Sequence, residues 1–196
     1  MPLRPLSAHR AVLALGSNLG ESESTIERAV VDLREAGVRI LRVSPLYRTA
    51  PVGGPEGQPD YVNAVIEVST ELSPYELLKL CNAVEAAHHR ERLVRWGPRT
   101  LDIDVIDYDG VISEDPVLTL PHPRAQERAF VLVPWAQMDP QARLTVTRRA
   151  KPSGERADEV PAPLSREVVN VAELARTLVE ADEDAISYMR EMKVPD

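Results

Sequence analysis

Residues 95–104 read Arg95-Trp96-Gly97-Pro98-Arg99-Thr100-Leu101-Asp102-Ile103-Asp104, with Val105 and Ile106 following. From Leu101 onward apolar and acidic residues alternate. In an extended strand successive side chains take opposite faces, so Asp102 and Asp104 point one way and Leu101, Ile103 and Val105 the other, into a core. Two like charges side by side repel, and burying them is costly. A hard divalent cation removes that cost, and Mg²⁺ held by one or two carboxylates plus substrate phosphates is the usual arrangement. Arginines suit the same substrate, because guanidinium forks grip phosphate with two hydrogen bonds. The pattern also suits an exposed edge strand with two solvated aspartates.

Working outward, the rest of the chain supplies partners for that strand. Residues 11–15 are a short apolar run ending at Gly16, read as a buried strand. Gly16-Ser17-Asn18-Leu19-Gly20 is a turn; it lacks the lysine and the spacing of a phosphate loop. A helix follows, with Ser24 as N-cap, Glu27 completing a capping box, and Gly37 as its stop. Residues 38–48 read as one strand. The loop at 49–60 carries three glycines and three prolines and is expected to be long and mobile. Residues 61–69 alternate as a strand. Ser73-Pro74-Tyr75-Glu76 is a strong helix start, with the helix running to about His89 and an apolar face of Leu77, Leu78, Cys81 and Val84. A second loop, 90–100, leads into the carboxylate strand. Asp109-Gly110 predicts a hairpin turn with Val111 and Ile112 returning. The order is βαββαβ with an added β-hairpin, that of an α+β ferredoxin-like sandwich.

Beyond this core the chain turns polar and proline-rich at 150–163. Residues 168–192 read as helical, broken near 181–184. The expected division is an N-terminal extension at 1–9, one domain at 10–147, and a polar linker with an acidic helical tail at 148–196. The 196 residues suffice for one real core. The first ten residues hold Pro2 and Pro5 and no apolar core, so they do not read as a secretory signal. No apolar run is long enough to span a membrane. The single cysteine, Cys81, excludes an intramolecular disulfide and sits among leucines as a core residue. A cytoplasmic protein is expected.

The net charge of −8 argues against general nucleic-acid binding. Residues 151–196 hold 6 basic and 11 acidic residues, which is −5 of that −8. The remaining body is close to neutral and carries Arg90, Arg92, Arg95 and Arg99 in one stretch. That points to a small anionic ligand.

Several residues bear two readings. His88 and His89 end a helix, where cations suit the dipole, and read as surface residues. His122, between Pro121 and Pro123, is equally a plain loop histidine or a functional one, and Arg128 beside Phe130 is as open. Trp96 fits a core position or a ligand-stacking lid. Tyr61 and Asn63 share one strand face, and an asparagine amide offers the donor and acceptor that match the edge of a planar heterocycle.

Taken together these residues resemble the 6-hydroxymethyl-7,8-dihydropterin pyrophosphokinases of folate synthesis, over about residues 11–140. The motifs are Gly16 to Gly20, Tyr47-Arg48-Thr49, Gln58-Pro59-Asp60-Tyr61-Val62-Asn63, Arg95 to Asp104, Pro121-His122-Pro123 and Arg128-Ala129-Phe130. The resemblance implies a ferredoxin-like enzyme that moves the β,γ-pyrophosphoryl group of ATP to the pterin hydroxymethyl oxygen and releases AMP. It implies two Mg²⁺ ions on Asp102 and Asp104. It implies a pterin site of Thr49, Val52, Tyr61, Asn63, Trp96 and Phe130. It implies an ATP site of Asn82, Glu85, Arg90, Arg92, Arg99, Thr119, His122 and Arg128, with Arg90 and Arg99 also catalytic beside the aspartates. Arg92 and Arg95 are alternatives for one phosphate contact. ATP and the pterin are the expected partners, without nucleic acid or membrane, and a monomer is expected. The tail beyond Leu144 matches no motif of this family.

Two rivals stand beside it. A two-metal nuclease also pairs carboxylates, but it wants a basic stripe that this acidic chain lacks. A non-catalytic nucleotide sensor would keep the arginines without needing both aspartates.

Overall fold

The structure, a computed structural model, describes residues 8–51, 57–88, 99–149, 164–182 and 186–195. Val52, His89, Arg90, Arg92, Arg95 and Trp96 lie outside the described residues, as do most of the expected first loop's tip and the linker at 151–163.

The chain begins with β1 (His9–Ser17) and α1 (Ser22–Glu35), then β2 (Arg39–Val43), β3 (Leu46–Thr49), β4 (Tyr61–Thr70), α2 (Pro74–Ala87) and β5 (Asp102–Tyr108). All neighbours in the main sheet are antiparallel; β4 pairs with β1, β2 and β3, and β1 also pairs with β5. The middle of β1, Ala11 to Leu15, is apolar because both its faces are covered. Ala11, Leu13 and Leu15 enter a core with Ile26, Val30 and Leu33 of α1 and Leu77, Cys81 and Val84 of α2. Val12 and Ala14 point to a second core with Val65, Ile106, Leu132 and Trp135. Burial pushes the Cys81 thiol up to about 12, with Glu85 and Asp104 adding to it, so it stays an inert core thiol.

The α2 start is as the sequence predicts: Ser73 caps the helix, and Glu76 Oε2 accepts from Ser73 N at 2.8 Å. Three local expectations change. First, α1 starts two residues before Ser24, with Glu21 as N-cap and no side-chain cap. Ser24 instead donates to the Glu21 carbonyl, and Glu27 is occupied elsewhere, accepting from Arg190 Nη1 at 2.8 Å and Lys193 N at 2.9 Å. Second, the single strand read over 38–48 is two. Pro45 has no N–H for the ladder, and the buried Ser44 hydroxyl takes the bond from Val65 N at 2.9 Å. Third, the Asp109-Gly110 turn forms, with φ of 49° and 67° and Val111 N donating to Tyr108 O. Its returning arm does not pair with β5. The turn is pinned to β1, where Asp109 accepts from Arg10 N at 2.9 Å and meets His9 at 2.6 Å. The short hairpin comes later, as β6 (Ser113–Glu114) with β7 (Thr119–Leu120). Its end leads through a cis Leu120–Pro121 bond to His122.

The largest correction lies in the tail. α3 (Ala129–Met138) is followed by β8 (Arg143–Arg149), which pairs with β9 (Leu164–Asn170). Residues 168–170, read as helix, are strand, and the expected boundary at 147 falls inside β8. The helix proper is α4 (Val171–Ala181), capped by Asn170, whose side chain accepts from Glu173 N. Val171 and Ala175 sit in the second core beside α3. Next comes β10 (Ser187–Arg190), also read as helix, which pairs with β3 at the edge of the main sheet. Met192 then enters the first core. A moderately apolar helix face and a strand of Ser, Tyr, Met and Arg give weak local signals; their partners in the sheet and on α3 decide their form.

Candidate active site

One cross-strand row organises the site. Tyr47 of β3 pairs with Asn63 of β4, Asn63 with Gly16 of β1, and Gly16 with Asp102 of β5. Paired residues share a face, so Asn63 and Asp102 rise from the same side of the sheet with a glycine between them. Asp104, opposite Ala14, lies one step along on that face. The second core occupies this face further on, so the carboxylates stand where an apolar floor ends. Gly16 keeps the gap open: a Cβ there would lie 3.3 Å from Asn63 Oδ1 and 3.8 Å from the Tyr61 ring.

The two aspartates are half-exposed and each has an arginine. Arg99 Nη1 donates to Asp102 Oδ2, and Arg128 Nη1 donates to Asp104 Oδ2 at 3.0 Å. His122 Nε2 lies 3.8 Å from the same Asp104 oxygen. Burial pushes the His122 pKa down; Asp104 pulls it up, Arg128 and Arg124 push it down again, and the balance keeps it below the ordinary histidine value. The Arg128 guanidinium also lies 5.3 Å over the Phe130 ring, a contact that orients the charge.

On the β4 side of the carboxylates, buried Asn63 donates to Thr49 Oγ1 at 2.9 Å, with Tyr61 on the same face. On the other side lies the outer edge of β5. There Glu85, buried, takes the Ile103 N–H at 2.7 Å, and His122 N donates to Ile106 O at 2.8 Å. Asn82 is exposed one turn before Glu85, and Thr119 donates to Asp115 O at 3.0 Å. The structure thus gathers Thr49, Asn63, Arg99, Asp102, Asp104, His122 and Arg128 around one sheet end. Glu85 holds a backbone group of β5, a structural duty the sequence reading did not foresee.

Asn18 is the residue that reading missed, having taken its segment as a plain turn. It is buried; its Nδ2 donates to Pro59 O at 3.1 Å, its Oδ1 accepts from Arg99 N at 2.7 Å, and its own N–H donates to Arg99 O at 3.0 Å. One amide thereby ties the end of the first loop to the residue that grips Asp102. The available signal was an asparagine directly after a buried strand, where an amide must find partners. His88, read as a surface residue, is partly buried and bonded to Asp32 at 2.6 Å, joining α2 to α1 away from this site.

A sheet carrying paired carboxylates, arginines and a buried amide is the equipment of a phosphoryl- or pyrophosphoryl-transfer enzyme. A family model described as 7,8-dihydro-6-hydroxymethylpterin-pyrophosphokinase (HPPK) matches residues 12–140, and this chain belongs to that family. The 2-amino-4-hydroxy-6-hydroxymethyldihydropteridine pyrophosphokinase of Methylorubrum extorquens is 46% identical over 132 residues, covering 67% of this chain and 83% of that protein. The same-named protein of Mycobacterium leprae is 41% identical over 184 residues, covering 86% of this chain and 92% of that protein. A crystal structure of Plasmodium falciparum HPPK-DHPS with pteroate superposes with a TM-score of 0.61 at 14% identity. It covers 94% of this chain, which spans about half the length of that one (49%). That likeness shows the fold: a mixed α/β architecture with an antiparallel sheet and four helices among the described residues.

Proposed function

We infer that this chain transfers the pyrophosphoryl group of ATP to 6-hydroxymethyl-7,8-dihydropterin, giving AMP and the pterin pyrophosphate for folate biosynthesis. The observation that carries this reading is the row from Asn63 across Gly16 to Asp102, with an arginine on each carboxylate. The strand order β3-β4-β1-β5, with α1 and α2 on one face, supports a ferredoxin-like sandwich.

Two Mg²⁺ ions fit Asp102 and Asp104. The donors are carboxylate oxygens on one face, and no cluster of three or more His, Cys, Asp or Glu stands ready for a metal among the described residues. Such a pair suits an ion that takes its other ligands from phosphate and water. Bound there, the metal supplies charge neutralisation across the phosphates. The chain's own groups do the rest. Arg99 and Arg128, now on the carboxylates, are placed to turn to phosphate oxygens, with His122 beside them as a hydrogen-bond partner. Asn63 and Thr49 read the pterin ring edge, with Tyr61 and Phe130 against its faces. Asp102, in the same row as Asn63, is placed to ease loss of the hydroxyl proton. Val52, Trp96, Arg90 and Arg92 complete the proposed pterin and phosphate contacts. Asn82, Glu85 and Thr119, at the outer edge of β5, serve the nucleotide side. The proposed oligomeric state is a monomer. Among the described residues no helix is long and apolar enough to cross a membrane, and with substrates such as these the proposed compartment is the cytoplasm.

The test is a pterin with methyl in place of hydroxymethyl. It should bind without consuming ATP, whereas hydroxymethyldihydropterin drives consumption. ATP loss with both contradicts the reading. Asn63→Ala should weaken pterin binding by about 1–3 kcal/mol, the cost of losing paired contacts in a dry site, and leave ATP binding nearly unchanged. Calorimetry with each ligand separates the two, and equal losses would remove Asn63 from the pterin site.

A further inference from the structure

The site row does not stop at Tyr47. Tyr188 of β10 pairs with Tyr47, so the row runs Tyr188, Tyr47, Asn63, Gly16, Asp102, from the C-terminal strand to the carboxylate. The two tyrosine rings meet edge to face, with centroids 5.9 Å apart. β3 is only four residues long and is cut off from β2 at Pro45. Without β10 it would be a short edge strand, and short edges are poorly held. Yet β3 ends in Thr49, whose hydroxyl receives the Asn63 amide.

β10 buries little of its own surface. It is fastened instead by Arg190, which turns to the α1 side of the sheet. Its Nε meets Glu23 Oε2 at 2.6 Å and its Nη1 meets Glu27 Oε1 at 2.8 Å, one helical turn apart. The chain after it is fastened to the same helix: Lys193 N donates to Glu27, and Arg34 Nη1 to Pro195 O at 2.5 Å. Burial alone would raise the Glu27 pKa, but the Arg190 and Lys193 hydrogen bonds outweigh it and hold it below the usual glutamate value.

We propose that Arg190 is a positioning residue for the pterin: by latching β10 to α1 it closes the edge of β3 and fixes the Thr49–Asn63 pair that reads the ring. The proposal rests on the pyrophosphokinase reading. In this proposal Arg190 acts through Tyr188, Tyr47 and the β3 ladder.

The test uses the full chain with Arg190→Ala, Arg190→Lys and Tyr188→Ala. Arg190→Ala should raise KM for hydroxymethyldihydropterin about five- to tenfold, as fits the loss of two partly exposed ion pairs. KM for ATP and kcat should stay within about twofold. Arg190→Lys, which can hold one glutamate, should recover much of the loss. Backbone amides at 47–49 should exchange hydrogen faster in Arg190→Ala, with those at 11–15 of β1 unchanged. Tyr188→Ala, altering a largely exposed ring, should show the same pterin-selective rise, and it decides the matter if Arg190→Ala does not fold. Both KM values rising together, neither rising, or unchanged exchange at 47–49 would overturn the proposal. If the unaltered chain shows no pterin-dependent turnover, the pyrophosphokinase reading itself fails and the proposal falls with it.

Discussion

Asp102→Ala or Asp104→Ala is expected to lower turnover by about a thousandfold or more, which is about 4 kcal/mol of transition-state stabilisation. Each change removes a carboxylate from the shared face and leaves its arginine, Arg99 or Arg128, without that partner. The fold should survive. Both side chains are half-exposed, while Leu101, Ile103 and Val105 on the opposite face carry the packing. Steady-state rates at saturating Mg²⁺, with far- and near-UV circular dichroism as the check on folding, measure the effect. Near-normal rates in both variants would mean that the pair holds no metal and balances only the arginines.

Truncation after Ala150 is expected to cost the native fold. It removes the partner strand of β8, the helix α4 and the edge strand β10. Val171 and Ala175 leave the second core and Met192 leaves the first, while Leu132, Trp135 and Leu144 lose their cover. Burying one such large apolar side chain is worth about 1.5–3 kcal/mol, and a domain's net stability is only about 5–15 kcal/mol. Losing several at once consumes most of it. Near-UV circular dichroism and denaturant titration of the truncated chain should show a molten or unfolded protein. A cooperative transition at the full-length midpoint would show that residues 10–147 stand alone.

The contrast between these two predictions reflects what the sequence made legible. The carboxylate strand, β1, β4 and α2 could be read from local pattern, because alternation, a continuous apolar run and a capping box are written within ten residues of one another. The shared strand faces of Tyr61 with Asn63 and of Asp102 with Asp104 followed from alternation; their proposed roles came from the family resemblance. The split at Ser44-Pro45 was within reach, since a proline cannot donate to a central ladder. The tail was not. β10 is held by Glu23 and Glu27, more than 160 residues earlier, and no window along the chain contains both partners. Asn18 escaped for a similar reason: its partners, Pro59 and Arg99, lie in two separate loops. Glu27 was misread because a capping box and a distant arginine compete for one carboxylate, and the tertiary partner won.

The central claim is the position of bond cleavage. Attack by the pterin hydroxyl at the β-phosphorus moves two phosphoryl units and releases AMP, whereas an ordinary kinase attacks at γ and releases ADP. The most direct test incubates the chain with Mg²⁺, ATP and 6-hydroxymethyl-7,8-dihydropterin and resolves the nucleotides by chromatography. AMP should form in step with pterin pyrophosphate and only when pterin is added. ADP as the main product, or AMP formed equally fast without pterin, would contradict the account.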